Sequence, residues 1–565
     1  MQARWILPSP VSETARSLAD QIDIAPFLAE LLCRRGLESP EQAADFLDPK
    51  LKTLRDPLEL HQMRAAVERT LQAIDQREKV VLYGDYDVDG VTSLAILCRV
   101  LRACGADVEC FLPSRIEEGY GLTADGVARC LQTLHPQLLI AVDCGTSSAA
   151  EIAQLHADGV DVVVLDHHEC KTQLPACIAL VNPKLGGDGR DFCSAGLAFK
   201  FAHALLKLRP QPGLDLRHYL DLVAVGTVAD LVPLTGENRI LVRRGLQQIA
   251  QSCWPGLAEL VAVSGMRIPV DTAGVGFGIG PRLNAAGRLG TAQDALELLL
   301  TDDPGRARQI AAGLDQQNRE RRTVEQTVLE QAEAQLATWF NPEEHAAIVV
   351  GDTGWHPGVV GIVASRISRR HHRPTFVVGF DEHGVGKGSG RSIEGLSLVK
   401  SLDTIHKERP LLERFGGHEM AAGITLMKEH LDPFREALLK HAGSQLGREQ
   451  LQPTLRIDGS LALAEVDLDL LRQHDALHPF GMGNSQPLFM ARNVSLSEEP
   501  RIMKEKHFSL SLQQGHRQQR AVWFGGAEQP LPKLPWDIAF HVERNVYKDR
   551  VSAQIQIRAV RTATP

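Results

Sequence analysis

Eight residues of this chain carry oxygen or nitrogen donors in a pattern that suits a divalent metal centre. "DYDVDG" sets Asp85, Asp87 and Asp89 at alternate positions directly after the apolar run "KVVLYG". "LLIAVDCGTS" puts Asp143 after a second apolar run, and "VDVVVLDHHE" puts Asp166, His167 and His168 after a third. "LVAVGTVADLVPL" places Asp230 after a fourth run, rich in small residues. A loop leaving a strand end can turn several carboxylates toward one point. Packed there, three aspartates repel one another unless a cation neutralises them. Alone, "DYDVDG" also reads as a calcium-loop fragment or an N-terminal helix cap. Carboxylates and an imidazole pair at four successive strand ends form an oxygen-rich donor set, which suits Mn²⁺ or Mg²⁺ rather than a structural zinc.

The elements that must position these residues are legible around them. From about residue 79, short runs of Val, Ile and Leu alternate with helical patterns such as "VTSLAILCRVLRACG" and "SAAEIAQLHADG". That alternation is the signature of a buried parallel sheet, so the fold class is α/β with a doubly wound sheet whose active site collects at the carboxyl ends of the strands. A helical candidate spans about 304–340 and carries no Gly or Pro after Gly313. It reads as a rigid connector between two domains across a groove, or as a solvated surface helix or coiled-coil dimer arm. "AAIVVGD" and "RPTFVVGF" then predict a second α/β domain, and the short strand-like runs after Thr454 predict a small barrel, with an OB-fold the natural choice. The predicted division is an N-terminal segment 1–50, a catalytic domain 51–303, the connecting helix 304–340, a second α/β domain 341–450 and a barrel 451–565.

Composition sets outer limits. The chain has 565 residues, of which 44% are hydrophobic and 23% charged, ordinary for a multidomain globular enzyme. No apolar run approaches the roughly 18 residues that span a bilayer, and the first residues do not read as a signal peptide, so a cytoplasmic protein is expected. Ten cysteines without a C-x-x-C pair argue against a zinc site or a disulfide framework. The net charge of −9 leaves nucleic acid open as a substrate, since a groove needs only a local positive patch.

"DYDVDG", "VDCGTS", "LDHHE" and "GTVADLVPL" together resemble the four motifs of the DHH phosphoesterase superfamily. "GPRLNAAGRLG", "GWHPGVVGIVASRI", "GSGRS", "RFGGHEMAAG" and "HPFGMGNSQPLF" resemble its bacterial RecJ branch, in that branch's order and over nearly the whole chain. The resemblance implies a DHH domain, a DHHA1-type phosphate-binding domain and an OB-fold. It implies a 5′→3′ exonuclease specific for single-stranded DNA, acting in recombination and repair and releasing 5′-mononucleotides. Its cofactors would be two ions of Mn²⁺ or Mg²⁺, about 3.5–4 Å apart. Its partners would be single-stranded DNA, a single-stranded-DNA-binding protein and a helicase; apart from the resemblance, the lack of an apolar span argues against a membrane, and a monomer is expected if the long helix is an internal connector.

Carried onto this sequence, the resemblance makes Asp87 a ligand of one metal and Asp89 of the other. Asp143 bridges them, and His167 and Asp230 complete the second site. Asp85 lies in or beside the first site. Many relatives outside the branch carry a His where this chain has Tyr83, so Asp85 or water would fill more of that first site. Asp166 would orient an imidazole, and His168 would contact the scissile phosphate or the leaving group. Ser389 and Arg391 would hold the 5′-terminal phosphate, "GSGRS" offering exposed backbone amides beside them, with His418 at the same groove next to a Gly-rich turn and small helix-forming residues. Arg115, Tyr120, Arg282 and Arg288 would meet the strand. A basic cluster, Arg366, Arg369, Arg370 and Arg373, lines the strand or is solvated surface. Trp523, Phe524 and Tyr547 stack on bases or fill the barrel core. The competing readings are a DHH phosphodiesterase for short oligonucleotides or cyclic dinucleotides, and a non-enzymatic scaffold that has lost its metal ligands.

Overall fold

A computed structural model describes residues 3–114, 118–119, 121–170, 173–187, 189–289, 292–548 and 550–563. The chain divides into two compact units. The larger comprises 6–287, 291–312 and 456–565; the smaller comprises 1–5, 288–290 and 313–455.

In the larger unit, five strands form an all-parallel sheet: β1 (Lys79–Gly84), β2 (Asp107–Phe111), β3 (Leu138–Val142), β4 (Asp161–Leu165) and β5 (Ala179–Val181). Their order is β2-β1-β3-β4-β5. The β-branched and Leu-rich strands are buried on both faces, which is why they read as continuous apolar runs. On one face Val81, Tyr83, Leu139, Ala141, Val162 and Val164 pack against helices Ala124–Leu134 and Ala149–Ala157. The other face takes α1 (Val88–Ala103) and α2 (Ser194–Leu208), and α3 (Leu220–Ala229) packs on both of these. The direction of winding reverses between β1 and β3, and the crevice at such a switch point is where doubly wound sheets bind ligands.

One expectation is corrected here. The run "LDLVAVGTVA" is not a strand but α3, with Asp230 as its C-cap residue. All but one of its ten residues are buried, so no polar face marks the 3.6-residue period, and a fully apolar helix looks like a buried strand.

The C-terminal part of the larger unit is a seven-stranded sheet of β11 (Gly459–Ser460), β12 (Phe489–Leu496), β13 (Arg501–Met503), β14 (His507–Gln514), β15 (Arg517–Trp523), β16 (Trp536–Tyr547) and β17 (Arg550–Thr562). Its order is β11-β12-β16-β17-β15-β14-β13, and an extra pairing of Ser495 with Gln513 and Leu496 with Leu512 joins β12 to β14 and curls the sheet into a barrel. The barrel core continues into the N-terminal helices. Leu18, Leu28 and Leu32 share one cluster with Phe489, Trp536 and Phe540, and the Phe27 ring meets Phe489 edge-on at 5.9 Å.

The smaller unit has its own five-stranded sheet: β6 (Ile348–Thr353), β7 (Thr375–Phe380), β8 (Val385–Arg391), β9 (Arg414–Gly417) and β10 (Ala421–Met427), in the order β9-β10-β8-β7-β6. The segment after His418 is therefore strand β10 rather than helix; its inward-facing residues at two-residue spacing, Ala422, Ile424 and Leu426, join Phe376 and Phe434 in the core. The long helix, α5, spans Pro304–Trp339. Within the smaller unit it is no solvated arm, because Val328, Ala332 and Leu336 pack on Ile348, Val350, Trp355 and Val359.

Candidate metal centre and end-binding strand

The loop after β1 turns at once into α1. Asp87 is the N-cap: its Oδ1 accepts from the Asp89 and Gly90 backbone N–H groups at 2.9 and 3.1 Å. Gly90 is obligatory there, since a Cβ would lie 2.4 Å from the Asp85 carbonyl oxygen. The helix-cap and metal readings of "DYDVDG" thus fall on the same residue. Asp89, in the first turn, is aimed by α2, whose Ser194 and Ala195 N–H groups donate to its two oxygens at 2.7 and 2.8 Å. Asp143 follows β3 with φ +65°, a left-handed backbone that a non-glycine residue holds only under constraint, and its Oδ1 accepts from Ser194 Oγ at 2.9 Å.

These carboxylates meet one imidazole. His167 Nε2 stands 3.3 Å from Asp143 Oδ1, 3.6 Å from Asp230 Oδ2 and 3.7 Å from Asp89 Oδ2, yet makes no hydrogen bond. Asp89, His167 and Asp230 bring one ligand atom each within 4.8 Å of one another, and so do Asp85, Asp87 and Asp143. A buried ring nitrogen facing three carboxylate oxygens without a hydrogen bond to any of them is the donor set of a hard divalent cation, so these residues fit Mn²⁺ or Mg²⁺.

Electrostatics agree. Burial and the neighbouring aspartates push Asp143 well above the ordinary carboxylate range. Burial, then Asp89 and Asp87, push Asp230 up to about 8. Without a cation the cluster must hold protons, which is the cost that metal binding removes. Asp166 behaves oppositely. Burial raises it, but the bond from His168 and the N–H of Thr146 outweigh that and hold it well below the usual range. Its Oδ1 meets His168 Nδ1 at 2.7 Å and accepts from the His167 N–H, while its Oδ2 accepts from Thr146. Asp166 therefore sets the loop and the ring of His168, whose imidazolium this contact favours despite burial.

Tyr83 points the other way. It is fully buried in the core against Phe111 and donates to the Gly121 carbonyl at 3.3 Å, so it fills space rather than a ligand position.

The smaller unit gathers Ser389, Arg391 and His418. Arg391 Nη1 donates to Ser389 Oγ at 3.0 Å, and the turn carrying exposed His418 joins β9 to β10, whose Ala421 lies opposite Arg391. The expectation of exposed backbone amides is corrected. β8 is hydrogen-bonded on both sides, by β7 and β10, so its amides belong to the sheet. Gly388 and Gly390 serve packing instead: a Cβ on Gly390 would lie 2.4 Å from the Phe376 ring. The Ser392 hydroxyl donates to the Leu396 carbonyl at 2.7 Å, which leaves the Arg391 guanidinium and the Ser389 hydroxyl as the candidate anion-binding groups.

The remaining expected contacts separate. Arg282 is buried, its guanidinium on the Gly278 carbonyl at 2.7 Å, and Arg288 donates to the Gly358 carbonyl at 3.0 Å. Arg373 is buried on four backbone carbonyls within 3.0 Å, and Arg366 and Arg370 pair with Glu325 and Glu333 of α5. Arg115 and Tyr120 lie outside the described residues, as does the side chain of Tyr547. Trp523 is barrel core at 4% exposure, whereas Phe524 is 57% exposed.

Residues 79–227 match the DHH family N-terminal domain, 344–443 the DHHA1 domain and 457–559 the RecJ OB domain. The chain is 36% identical to the single-stranded-DNA-specific exonuclease RecJ of Bacillus subtilis (strain 168), over 98% of this chain and 70% of that protein. It is 34% identical to the protein of that name from Haemophilus influenzae, over 96% and 97% respectively. The chain belongs to the RecJ family. The crystal structure of RecJ in complex with Mn²⁺ from Thermus thermophilus superposes with a TM-score of 0.84 at 32% identity, covering 100% of this chain and 80% of that one. Its Mg²⁺ complex gives 0.78 at 30% identity, covering 100% and 79%.

Within this RecJ family member, sequence reasoning passed over Ser194, Thr146 and Asn182. Ser194 fixes both Asp89 and Asp143; Asn182 Nδ2 bonds Thr146 Oγ1 and the His168 carbonyl at 3.1 and 2.9 Å. Small residues opening a helix in "CSAGLAF" and a polar residue ending β5 in "LVNP" were the available signals.

Proposed function

We propose that this chain is a metal-dependent 5′→3′ exonuclease that removes 5′-mononucleotides from single-stranded DNA in recombination and repair. The observation that carries the reading is the convergence of Asp89, Asp143 and Asp230 on His167 Nε2 at the carboxyl edge of the parallel sheet. Asp87, Asp89, Asp143, His167 and Asp230 would hold two ions of Mn²⁺ or Mg²⁺, with Asp85 beside the first. When bound, such ions neutralise the phosphodiester, make water a better nucleophile and stabilise the leaving oxygen.

The protein supplies the positioning. Ser194 and the N-terminus of α2 fix two carboxylates in place, so neither must reorganise as charge develops. Asp166 takes Nδ1 of His168 and favours its charged form, which would leave the other nitrogen for the scissile phosphate or the leaving group. Ser389 and Arg391 receive the 5′-terminal phosphate, with His418 near them, and that contact gives polarity because a 3′ hydroxyl end offers no such group. Arg115 and Arg288 are assigned to the strand's backbone and Tyr120 to stacking or hydrogen bonding beside it, while Arg282, buried on the Gly278 carbonyl, supports its own helix; exposed Phe524 is assigned to base stacking on the barrel. We place the enzyme in the cytoplasm as a monomer, working with a single-stranded-DNA-binding protein and a helicase. No helix among the described residues is long and apolar enough to cross a membrane.

The test is a long single strand, labelled at either end and carrying a 5′ phosphate or a 5′ hydroxyl, incubated with Mn²⁺ beside the duplex. The expected result is mononucleotides released first from the 5′ end of the single strand, abolished by EDTA. Survival of the long strand while fragments of a few nucleotides are cut would replace this reading with the short-oligonucleotide one.

A further inference from the structure

A second cluster of metal-binding side chains lies away from the nuclease residues, in the same unit. Helix α6 (Leu468–Ala476) ends in "HDALHPF", which sets His474, Asp475 and His478 at spacings of one and three residues. His474 is 2% exposed, and neither of its ring nitrogens has a hydrogen-bond partner. A buried neutral imidazole needs at least its N–H satisfied, so two orphaned nitrogens on one ring point to a missing partner. Asp475 Oδ1 stands 4.0 Å from His474 Nδ1, too far for a hydrogen bond, while the other oxygen of that carboxylate is held by Arg544. The His478 ring lies 5.9 Å from the His474 ring, nearly perpendicular to it. One ligand atom from each residue falls within 4.8 Å of the other two.

We propose that His474, Asp475 and His478 form a second metal site, which takes Zn²⁺ and ties the end of α6 to the turn that follows it. Two imidazoles and one carboxylate make a borderline-soft donor set, unlike the oxygen-rich nuclease centre, and three protein ligands leave the fourth tetrahedral position to water. The ligands are pre-positioned. Arg239 of α4 (Gly236–Ile249) donates to the carbonyls of Ala476 and Leu477, and Arg243 to those of Ala476 and His478. Asn484 Nδ2 bridges the carbonyls of Leu477 and Pro479 at 2.9 and 2.7 Å. Arg544 pairs with Asp475 beside the site. The turn also reaches the catalytic domain, because the Leu234 N–H, four residues after Asp230, donates to the Met482 carbonyl at 2.8 Å. The zinc would therefore brace the junction between barrel and nuclease centre rather than take part in cleavage.

The experiment is Zn²⁺ titration of the chelator-stripped full-length chain by calorimetry, with wild type beside His478→Gln. The variant is expected to bind one equivalent fewer and to lose the zinc-dependent part of its thermal stabilisation, while keeping Mn²⁺-dependent cleavage. Equal stoichiometry in the two proteins would overturn the site. Should the variant fail to fold, zinc-edge anomalous scattering from wild-type crystals soaked in Zn²⁺ decides. A peak between His474 and His478 supports the proposal, and peaks at the nuclease residues alone refute it.

Discussion

The two groups of residues assigned to DNA solve opposite problems. At the sheet edge of the larger unit, buried carboxylates crowd around one imidazole until Asp143 and Asp230 are pushed far above their ordinary range. In the smaller unit, Ser389 and Arg391 stand on a glycine-rich strand, bonded to each other and to backbone, with no carboxylate bonded to them among the described residues. The first group is incomplete without a cation; the second is itself the cation. The proposed metal chemistry and the proposed end recognition are thus assigned to separate sheets, and they should fail separately.

The largest expected effect comes from the first group. Asp143→Asn keeps the size of the side chain but removes the charge between the two proposed ions, and should lower the cleavage rate by at least about 10³-fold, read by single-turnover kinetics. Preference for a 5′ phosphate over a 5′ hydroxyl should survive in the residual activity.

Arg391→Ala should do the reverse. Loss of a charge-assisted contact should cut the preference for the phosphorylated end by roughly 10- to 100-fold, while the rate on a 5′-hydroxyl strand stays near wild type. Equal losses on both substrates would break the separation.

Acidity offers a third handle. Asp230, raised to about 8, holds a proton in the metal-free protein at neutral pH, and Mn²⁺ must displace it. Affinity for Mn²⁺ should therefore rise with pH through neutrality, by about tenfold per unit for each proton displaced, as isothermal titration in buffers of different ionisation enthalpy would show. Arg391 carries a guanidinium that stays charged through this range, so end preference should not follow the same curve.

The smallest effect concerns two neighbouring aromatics of the barrel. Phe524→Ala should weaken binding of a single strand by about fivefold with little loss of stability. Trp523→Ala should instead cost about 3–5 kcal/mol of stability, because that ring is core.

How far the sequence reached follows physical lines. β1, β3 and β4 were legible because buried parallel strands are uninterrupted apolar runs, and their carboxyl ends carry Asp85, Asp143 and Asp166 directly. Asp230 was legible as a site residue, but its element was not, since a helix buried all round shows no period. "GSGRS" suggests an anion cradle because glycines suggest exposed amides; the packing of Gly390 against Phe376 depends on a partner on the neighbouring strand. The contact of Leu18 and Leu28 with the barrel core is beyond any local pattern, for it joins the two ends of the chain. Ser194 escaped notice for a related reason: its role exists only once α2 arrives beside Asp89 and Asp143.

We assign the carboxylate cluster to two divalent ions, which Asp87, Asp89, Asp143, His167 and Asp230 would hold. Mn²⁺ stoichiometry of the chain, wild type against Asp143→Asn, is the decisive measurement. Two ions per wild-type chain and loss of tight binding of both in the variant are the expected result. An unchanged Mn²⁺ isotherm in Asp143→Asn would exclude Asp143 as a ligand.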